Sequence, residues 1–322
     1  MTRRPRRRAT TPAPLAQRLG IDPVHLKLPP AGHGDRPTVR AYLVERLAAA
    51  GPDTIDRMFR EAAFVIADGS PLAPDAPCTP GLGIWFHRDL PPEPHVPFPV
   101  PVLYRDENIL VADKPHFLAT TPRGSHITET ALARLRREHG LPELSPAHRL
   151  DRLTAGLVLF VVRPQARGAY QTLFRDRHVR KEYEALAAYA PSLDLPRTVR
   201  SRIEKVPGII AAYETPGEPN SESHVELLAH RGDLGRYRLT PHTGRTHQLR
   251  VHMNALGLPL LGDPYFPRLT DPAPADFSRP LQLLSRVLEF TDPVTGADHH
   301  FESRRTLEAW TDPDAWATGP SA

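Results

Sequence analysis

The chain has 322 residues and a formal net charge of +4, long enough for one large core and a smaller companion. Its single cysteine, Cys78, excludes an intramolecular disulfide and any zinc site built from several thiolates, and fits a reducing, cytoplasmic compartment. No apolar run approaches the roughly 20 residues of a membrane span, and the basic start, Arg3, Arg4, Arg6, Arg7 and Arg8, is not followed by the apolar core of a secretion signal.

Residues 1–36 are rich in Arg, Pro and Ala and read as a basic flexible tail, of a kind that can hold a phosphate backbone by releasing its counterions. From Pro37 the pattern tightens. Val39, Leu43 and Leu47, with Tyr42, share one helical face that stops at Gly51. Ile55, Met58 and Phe59 predict a second short helix. Residues 63–67 then read as a strand, Asp68-Gly69 as a turn and residues 83–86 as another strand. Residues 37–90 are thus expected to form a small N-terminal α/β module. Residues 91–99 carry five prolines and read as a stiff, extended connector, the sharpest domain boundary in the chain.

The larger domain is read over residues 100–310, with a C-terminal tail at 311–322. Asn108–Ala112 predicts a strand that delivers Lys114, and a lysine at a strand end is more often solvated than bound to phosphate. Residues 128–139 read as a helix with an apolar stripe of Ala131, Leu132 and Leu135, a basic face of Arg134, Arg136 and Arg137, and a stop at Gly140. The polar segment His148–Gly156 runs straight into Leu157–Val162, a short β-branched apolar run that reads as a buried strand. One carboxylate, Asp151, sits there among His148, Arg149 and Arg152. Positive neighbours suit a carboxylate that acts as an anion, and an Asp that caps its own loop by bonding backbone N–H groups is the alternative.

Pro164 opens the next helix, whose core stripe is Ala166, Tyr170, Leu173 and Phe174. A basic stretch to Lys181 leads into a strand with Tyr183, Ala185 and Ala187 on one face. Residues 190–222 are polar, interrupted by proline, and read as an irregular surface excursion. Two strands around Gly232–Gly235 make a hairpin, a helix follows over Thr246–Leu256 with Leu249, Met253 and Leu256 inward, and residues 281–290 and 299–301 close the domain as strands. Hairpins with interspersed helices predict an α+β fold around a mixed, mainly antiparallel sheet. No Gly-rich phosphate loop and no cluster of His, Cys and carboxylate at ligand spacing is present, so neither a cofactor nor a metal is expected.

Four segments, in this order, resemble the RluA-type pseudouridine synthases over residues 102–301. They are Asp113-Lys114-Pro115-His116, His148-Arg149-Leu150-Asp151-Arg152-Leu153-Thr154-Ala155-Gly156, Arg180-Lys181-Glu182-Tyr183-Glu184-Ala185, and Gly244-Arg245-Thr246-His247-Gln248-Leu249-Arg250-Val251-His252. The resemblance implies a catalytic domain of the pseudouridine synthase type acting on structured RNA, either large-subunit ribosomal RNA or tRNA, as a monomer without cofactor. The small module ahead of it loosely resembles the RNA-binding domain named for ribosomal protein S-four. Asp151 matches the catalytic residue, a nucleophile or base at the ribose. Tyr183 matches the residue that stacks under the target base and handles its proton. Arg250 matches the arginine that pairs with the catalytic carboxylate in bidentate fashion, with Arg245 as the alternative partner. Arg149 would fill the space left by the flipped base, and His148, Lys181, Arg245, His247 and Leu249 are the further RNA-binding positions. Two positions depart from the family pattern: Ala155 replaces a more frequent Ser, and Leu284-Ser285-Arg286 stands where Leu-His-Ala is common. The alternative is an RNA-binding or ribosome-assembly factor that keeps the fold without the activity.

Overall fold

The structure is a computed structural model that describes residues 13–29, 37–90, 92–270, 272–273 and 275–318; the basic cluster Arg3–Arg8 lies outside them. Two units divide the chain, residues 1–92 and 93–322. In the first, β1 (Val24–Lys27) pairs antiparallel with a second strand, β2 (Gly83–Phe86), and two helices lie between them in sequence, α1 (Val39–Arg46) and α2 (Pro52–Arg60). The Thr38 hydroxyl caps α1 by accepting from the Ala41 N–H, and Pro52 opens α2, where its missing N–H costs nothing. Val39, Leu43, Ile55, Met58, Phe64, Ile84 and Phe86 form the core of this unit.

Two expectations are corrected here. The flexible tail does not extend through residue 36: Val24 and Leu26 turn inward on β1 and Leu28 is buried. Four residues of alternation, with His25 and Lys27 outside, are too short a signal to stand out. Residues 63–67 are not a strand either. Only Val65 bridges, to Pro71 and Trp85, because the Asp68-Gly69 turn brings back a proline that has no N–H to extend a ladder.

The second unit holds an 11-stranded sheet. Its elements are β3 (Val102–Arg105), β4 (Ile109–Lys114), α3 (Ala131–His139), β5 (Ser145–Pro146), β6 (Ala155–Val161), α4 (Arg167–Arg175), β7 (Arg180–Ala188), β8 (Arg197–Glu204), β9 (Tyr213–Thr215), β10 (Ser221–Arg231), β11 (Leu234–Pro241), α5 (Gln248–Ala255), β12 (Leu283–Thr291), β13 (Asp298–Glu302), α6 (Glu308–Thr311) and α7 (Pro313–Thr318). The main path runs β3-β4-β6-β12-β7-β11-β10-β8-β9, antiparallel except where β6 meets β12. The expected α+β architecture is what the chain adopts. β4 and β6 are buried on both faces, which explains the apolar runs Ile109–Ala112 and Ala155–Val161. On one face Val158, Phe160, Ala185, Leu239 and Tyr183 pack against α3 and α5; on the other Val111, Leu157 and Leu159 pack against Tyr170 and Leu173 of α4.

Further corrections follow from polar residues that fold. The stretch 190–222 contains β8 and β9, not an irregular excursion; β8 pairs with β10 along five residues, and its Arg-rich sequence disguises a strand near the sheet edge. The basic face expected on α3 loses Arg134, which is buried and donates to the carbonyls of Val96 and Phe98. The connector 91–99 is no free linker: the second unit begins at Glu93. Residues 311–318 are not a tail but hold the last residue of α6 and all of α7, with Trp310 and Trp316 packed on Leu186 and Leu284.

Candidate active site

At the centre of the sheet three strands bring Tyr183, Ser285 and Gly156 side by side, with Ser285 opposite Tyr183 on one flank and opposite Gly156 on the other. Gly156 has φ +109°, and a Cβ there would lie 2.3 Å from the Ser285 carbonyl oxygen. Only glycine lets β6 approach β12 this closely. The polar segment ahead of β6 therefore enters the sheet beside Tyr183.

Every carbonyl from Leu150 to Leu153 in that segment has a partner. Leu150 O accepts from the Thr120 hydroxyl at 2.8 Å, and the same hydroxyl accepts the Leu150 N–H. Asp151 O accepts the Thr154 N–H. Arg152 O accepts from Lys114 Nζ at 3.3 Å, and Leu153 O from His116 Nδ1 at 2.7 Å. Lys114 is wholly buried, with Pro115 O and Leu118 O as its other acceptors, so the solvated lysine expected from sequence is corrected. Burial, with Arg305 close by, drives it well below the usual lysine range. Burial likewise pushes His116 down to about 3, so its ring is neutral and carries the shared proton on Nδ1. The segment Lys114–Thr120 is a brace for the Asp151 loop.

The Asp151 side chain remains about one-third exposed, and its Oδ2 lies 3.9 Å from Arg250 Nη1. The bidentate pairing expected between these two is corrected. Arg250 makes its two short bonds to Asp263, Nε to Oδ2 at 2.7 Å and Nη2 to Oδ1 at 2.6 Å, with both side chains out of solvent. The guanidinium also lies over the Tyr265 ring, 4.5 Å from its centroid. Asp263 and Tyr265 were not among the residues selected from sequence. A signal existed: Arg250 sits between Leu249 and Val251 on a helix buried on nearly all sides, and a buried guanidinium requires a counter-charge.

The start of α5 is fixed by Gln248, which accepts from the Thr243 hydroxyl and the Arg245 N–H and donates to Glu222 O and Ser223 Oγ. Tyr183 is buried, and burial pushes its phenol up to about 12, so it keeps its proton. The other expected RNA-binding residues divide. Arg149 and Arg245 are exposed, and the Arg149 guanidinium makes no hydrogen bond or ion pair among the described residues. Lys181 is half-buried, its ammonium lowered by burial and by Arg177. His247 faces Tyr265 at 5.4 Å and accepts the Ala212 N–H. Leu249 is a core residue, and His148 is turned inward: its Nε2 accepts the Leu159 N–H, its ring stacks on Phe174 at 4.3 Å, and burial pushes it down to about 3. Those two assignments are corrected, because both side chains are committed to packing. Among the described residues no group of three His, Cys or carboxylate side chains could hold a metal, and no helix is long and apolar enough to cross a membrane.

Residues 108–255 match the family model described as RNA pseudouridylate synthase. The chain is 32% identical over 209 residues to an uncharacterized RNA pseudouridine synthase of Synechocystis sp., slr1592, covering 63% of this chain and 70% of that one. It is also 32% identical over 209 residues to the dual-specificity RNA pseudouridine synthase RluA of Escherichia coli, covering 91% of that protein. A human structure, RNA pseudouridylate synthase domain containing 4, superposes with a TM-score of 0.51 at 22% identity, over 67% of this chain and 92% of that one; it speaks to the fold alone.

Proposed function

Since the chain belongs to the RluA-type RNA pseudouridine synthases, a family of isomerases, we propose that it isomerises specific uridines of large-subunit ribosomal RNA or tRNA, with Asp151 as the catalytic carboxylate. The observation that carries this reading is one carboxylate, about one-third exposed, on a loop whose carbonyls from Leu150 to Leu153 are all held, with a buried guanidinium 3.9 Å away. The reaction breaks the bond from ribose C1′ to uracil N1, turns the base, and joins C1′ to C5. N1 gains a proton and C5 loses one, so the step is balanced without redox chemistry.

A stacked uridine cannot reach Asp151 and must be flipped out, at a few kcal/mol. Arg149, exposed next to Asp151, is the side chain to occupy the vacated stack. Tyr183 supplies a flat face beneath the base and a phenol that still holds its proton. Arg250, neutralised chiefly by Asp263, orients Asp151 as nucleophile or base at the sugar without locking it into a tight pair. Arg245 and Lys181 hold the RNA backbone, His247 is a further RNA contact, and the basic residues near the N-terminus add affinity that falls with salt. The enzyme works in the cytoplasm as a monomer.

Asp151→Asn tests this. It keeps the shape of the side chain and removes the anion. Total RNA from cells lacking the gene, labelled with tritium at uridine C5, should release tritium to water with the wild-type protein and not with the variant, while RNA affinity stays within about twofold. Turnover by the variant near the wild-type rate would sink the assignment.

A further inference from the structure

The segment ahead of the catalytic sheet looked from its prolines like a spacer, yet it is tied down at Glu93, Val96, Phe98 and Pro99. The Glu93 carboxylate accepts the N–H groups of Ile127 at 3.0 Å, Thr128 at 2.8 Å and Glu129 at 3.2 Å, and the Thr128 hydroxyl at 3.0 Å. Glu129 in turn accepts the Val96 N–H at 3.0 Å and pairs with Arg134. Arg134 donates to Val96 O at 2.6 Å and Phe98 O at 2.7 Å, and Arg305 reaches Pro99 O at 3.2 Å. Val96 and Val100 are buried in the main core.

Two routes lead from this segment to the residues on either side of Asp151. In the first, Glu93 fixes the turn 127–129 that enters α3; Ala131 and Leu132 donate to Ala119 O and Thr120 O; and the Thr120 hydroxyl holds Leu150 at both its N–H and its carbonyl. In the second, Phe98 stacks on Phe117, with centroids 6.4 Å apart, and both contact Phe277. Phe117 has φ +65° and follows His116, which holds Leu153 O. An Asp set between two braced residues keeps its direction only while the braces do.

We propose that Glu93–Pro99 is a positioning strap for the catalytic loop, with Glu93 as its anchor; the proposal rests on Asp151 being the catalytic carboxylate. Glu93 touches no reacting atom in this scheme. It acts through the turn at 127–129 and Thr120, and a misplacement of about 1 Å at a reacting group costs on the order of a hundredfold in rate.

The test uses the full chain carrying Glu93→Ala or Glu93→Gln, with Glu107→Gln, an exposed partner of Arg163, as control. The probe is the tritium-labelled total RNA described above. Glu93→Ala should lower the saturated single-turnover rate by about tenfold to a hundredfold, with the half-saturating RNA concentration unchanged within about twofold. Glu93→Gln, which keeps one acceptor, should lose less. Amide hydrogen exchange should quicken at Leu150 and Thr154 while amides of α4, on the other face of the sheet, hold their wild-type protection. Loop amides and a rate that both match wild type would overturn the proposal, as would a uniform quickening that includes α4, the mark of a merely structural residue. If the loop loosens and the rate holds, the strap stands and the assignment of Asp151 fails, which Asp151→Asn then checks independently.

Discussion

Asp263→Asn is the substitution with the most to say about how the site is held. It leaves the side-chain volume in place and removes the charge facing Arg250. That guanidinium is 1% exposed and its partner fully buried, so the variant strands a cation that cannot turn to water. Breaking a buried pair from one side costs about 3–5 kcal/mol, and because Asn keeps one acceptor the low end applies, about 3 kcal/mol. For a unit of this size each kcal/mol moves the melting temperature by about 2–4 °C, so a fall of roughly 6–12 °C is expected. Asp151→Asn is the comparison: that carboxyl is 32% exposed and 3.9 Å from the same cation, so its loss should cost no more than about 1 kcal/mol. Calorimetry of the full chain, read on the transition of residues 93–322, measures both. Replacing Arg250 and Asp263 together by Met and Leu should recover most of the stability, since no charge is then left buried. A melting temperature for Asp263→Asn within about 2 °C of wild type would mean that Arg250 is satisfied elsewhere, and the account of two carboxylates sharing one guanidinium unequally would be wrong.

Gly156→Ala should destabilise the second unit by about 3 kcal/mol or more and abolish isomerisation, because a Cβ 2.3 Å from Ser285 O forces β6 away from β12 and the backbone sits at positive φ; chemical denaturation and the tritium assay check it, and a well-folded active variant would show the approach to be dispensable. His116 and His148, each pushed down to about 3 from an ordinary 6.5, bind protons more readily unfolded than folded between those values. Their contribution is thus complete above about pH 6.5 and is lost as pH falls, at up to ~1.4 kcal/mol per pH unit for each. Urea unfolding at pH 7, 6 and 5 should show that slope, and His148→Gln should flatten it by about one proton; an unchanged slope would place the proton uptake elsewhere.

Much of the fold was legible because its signals were local. The apolar run after Asp151, the amphipathic helices and the hairpin turns are each set by neighbours in sequence. The site was legible as a set of motifs, and less so as a geometry. Lys114 was read as solvated because nothing local says that three carbonyls surround it. Asp263 was missed because its need arises 13 residues away, in the burial of Arg250, and burial is a property of the packed sheet. β8 was missed because its place next to the edge strand β9 leaves much of it exposed, where arginines interrupt the apolar signal of a strand. His148 and Leu249 were given to RNA because their motif neighbours face the site, whereas their own side chains turn toward the core.

The junction of Tyr183, Ser285 and Gly156 also sets a schedule for making the protein. The strand that joins β6 to β7 is β12, and its first residue comes about 120 positions after the end of β6. At the usual 5–20 residues per second of translation, a nascent chain waits roughly 6–24 s between finishing one neighbour and acquiring the strand that completes it. Throughout that interval β6, and from Ala188 onward β7 as well, offers an unpaired edge, that of β6 entirely apolar, to any other chain nearby. Contacts so distant in sequence also close slowly once they are available. The junction around the proposed site is therefore assembled among the last parts of the core, and a chain stopped before Leu283 has all four motif segments but not the strand that sets Tyr183 beside Gly156.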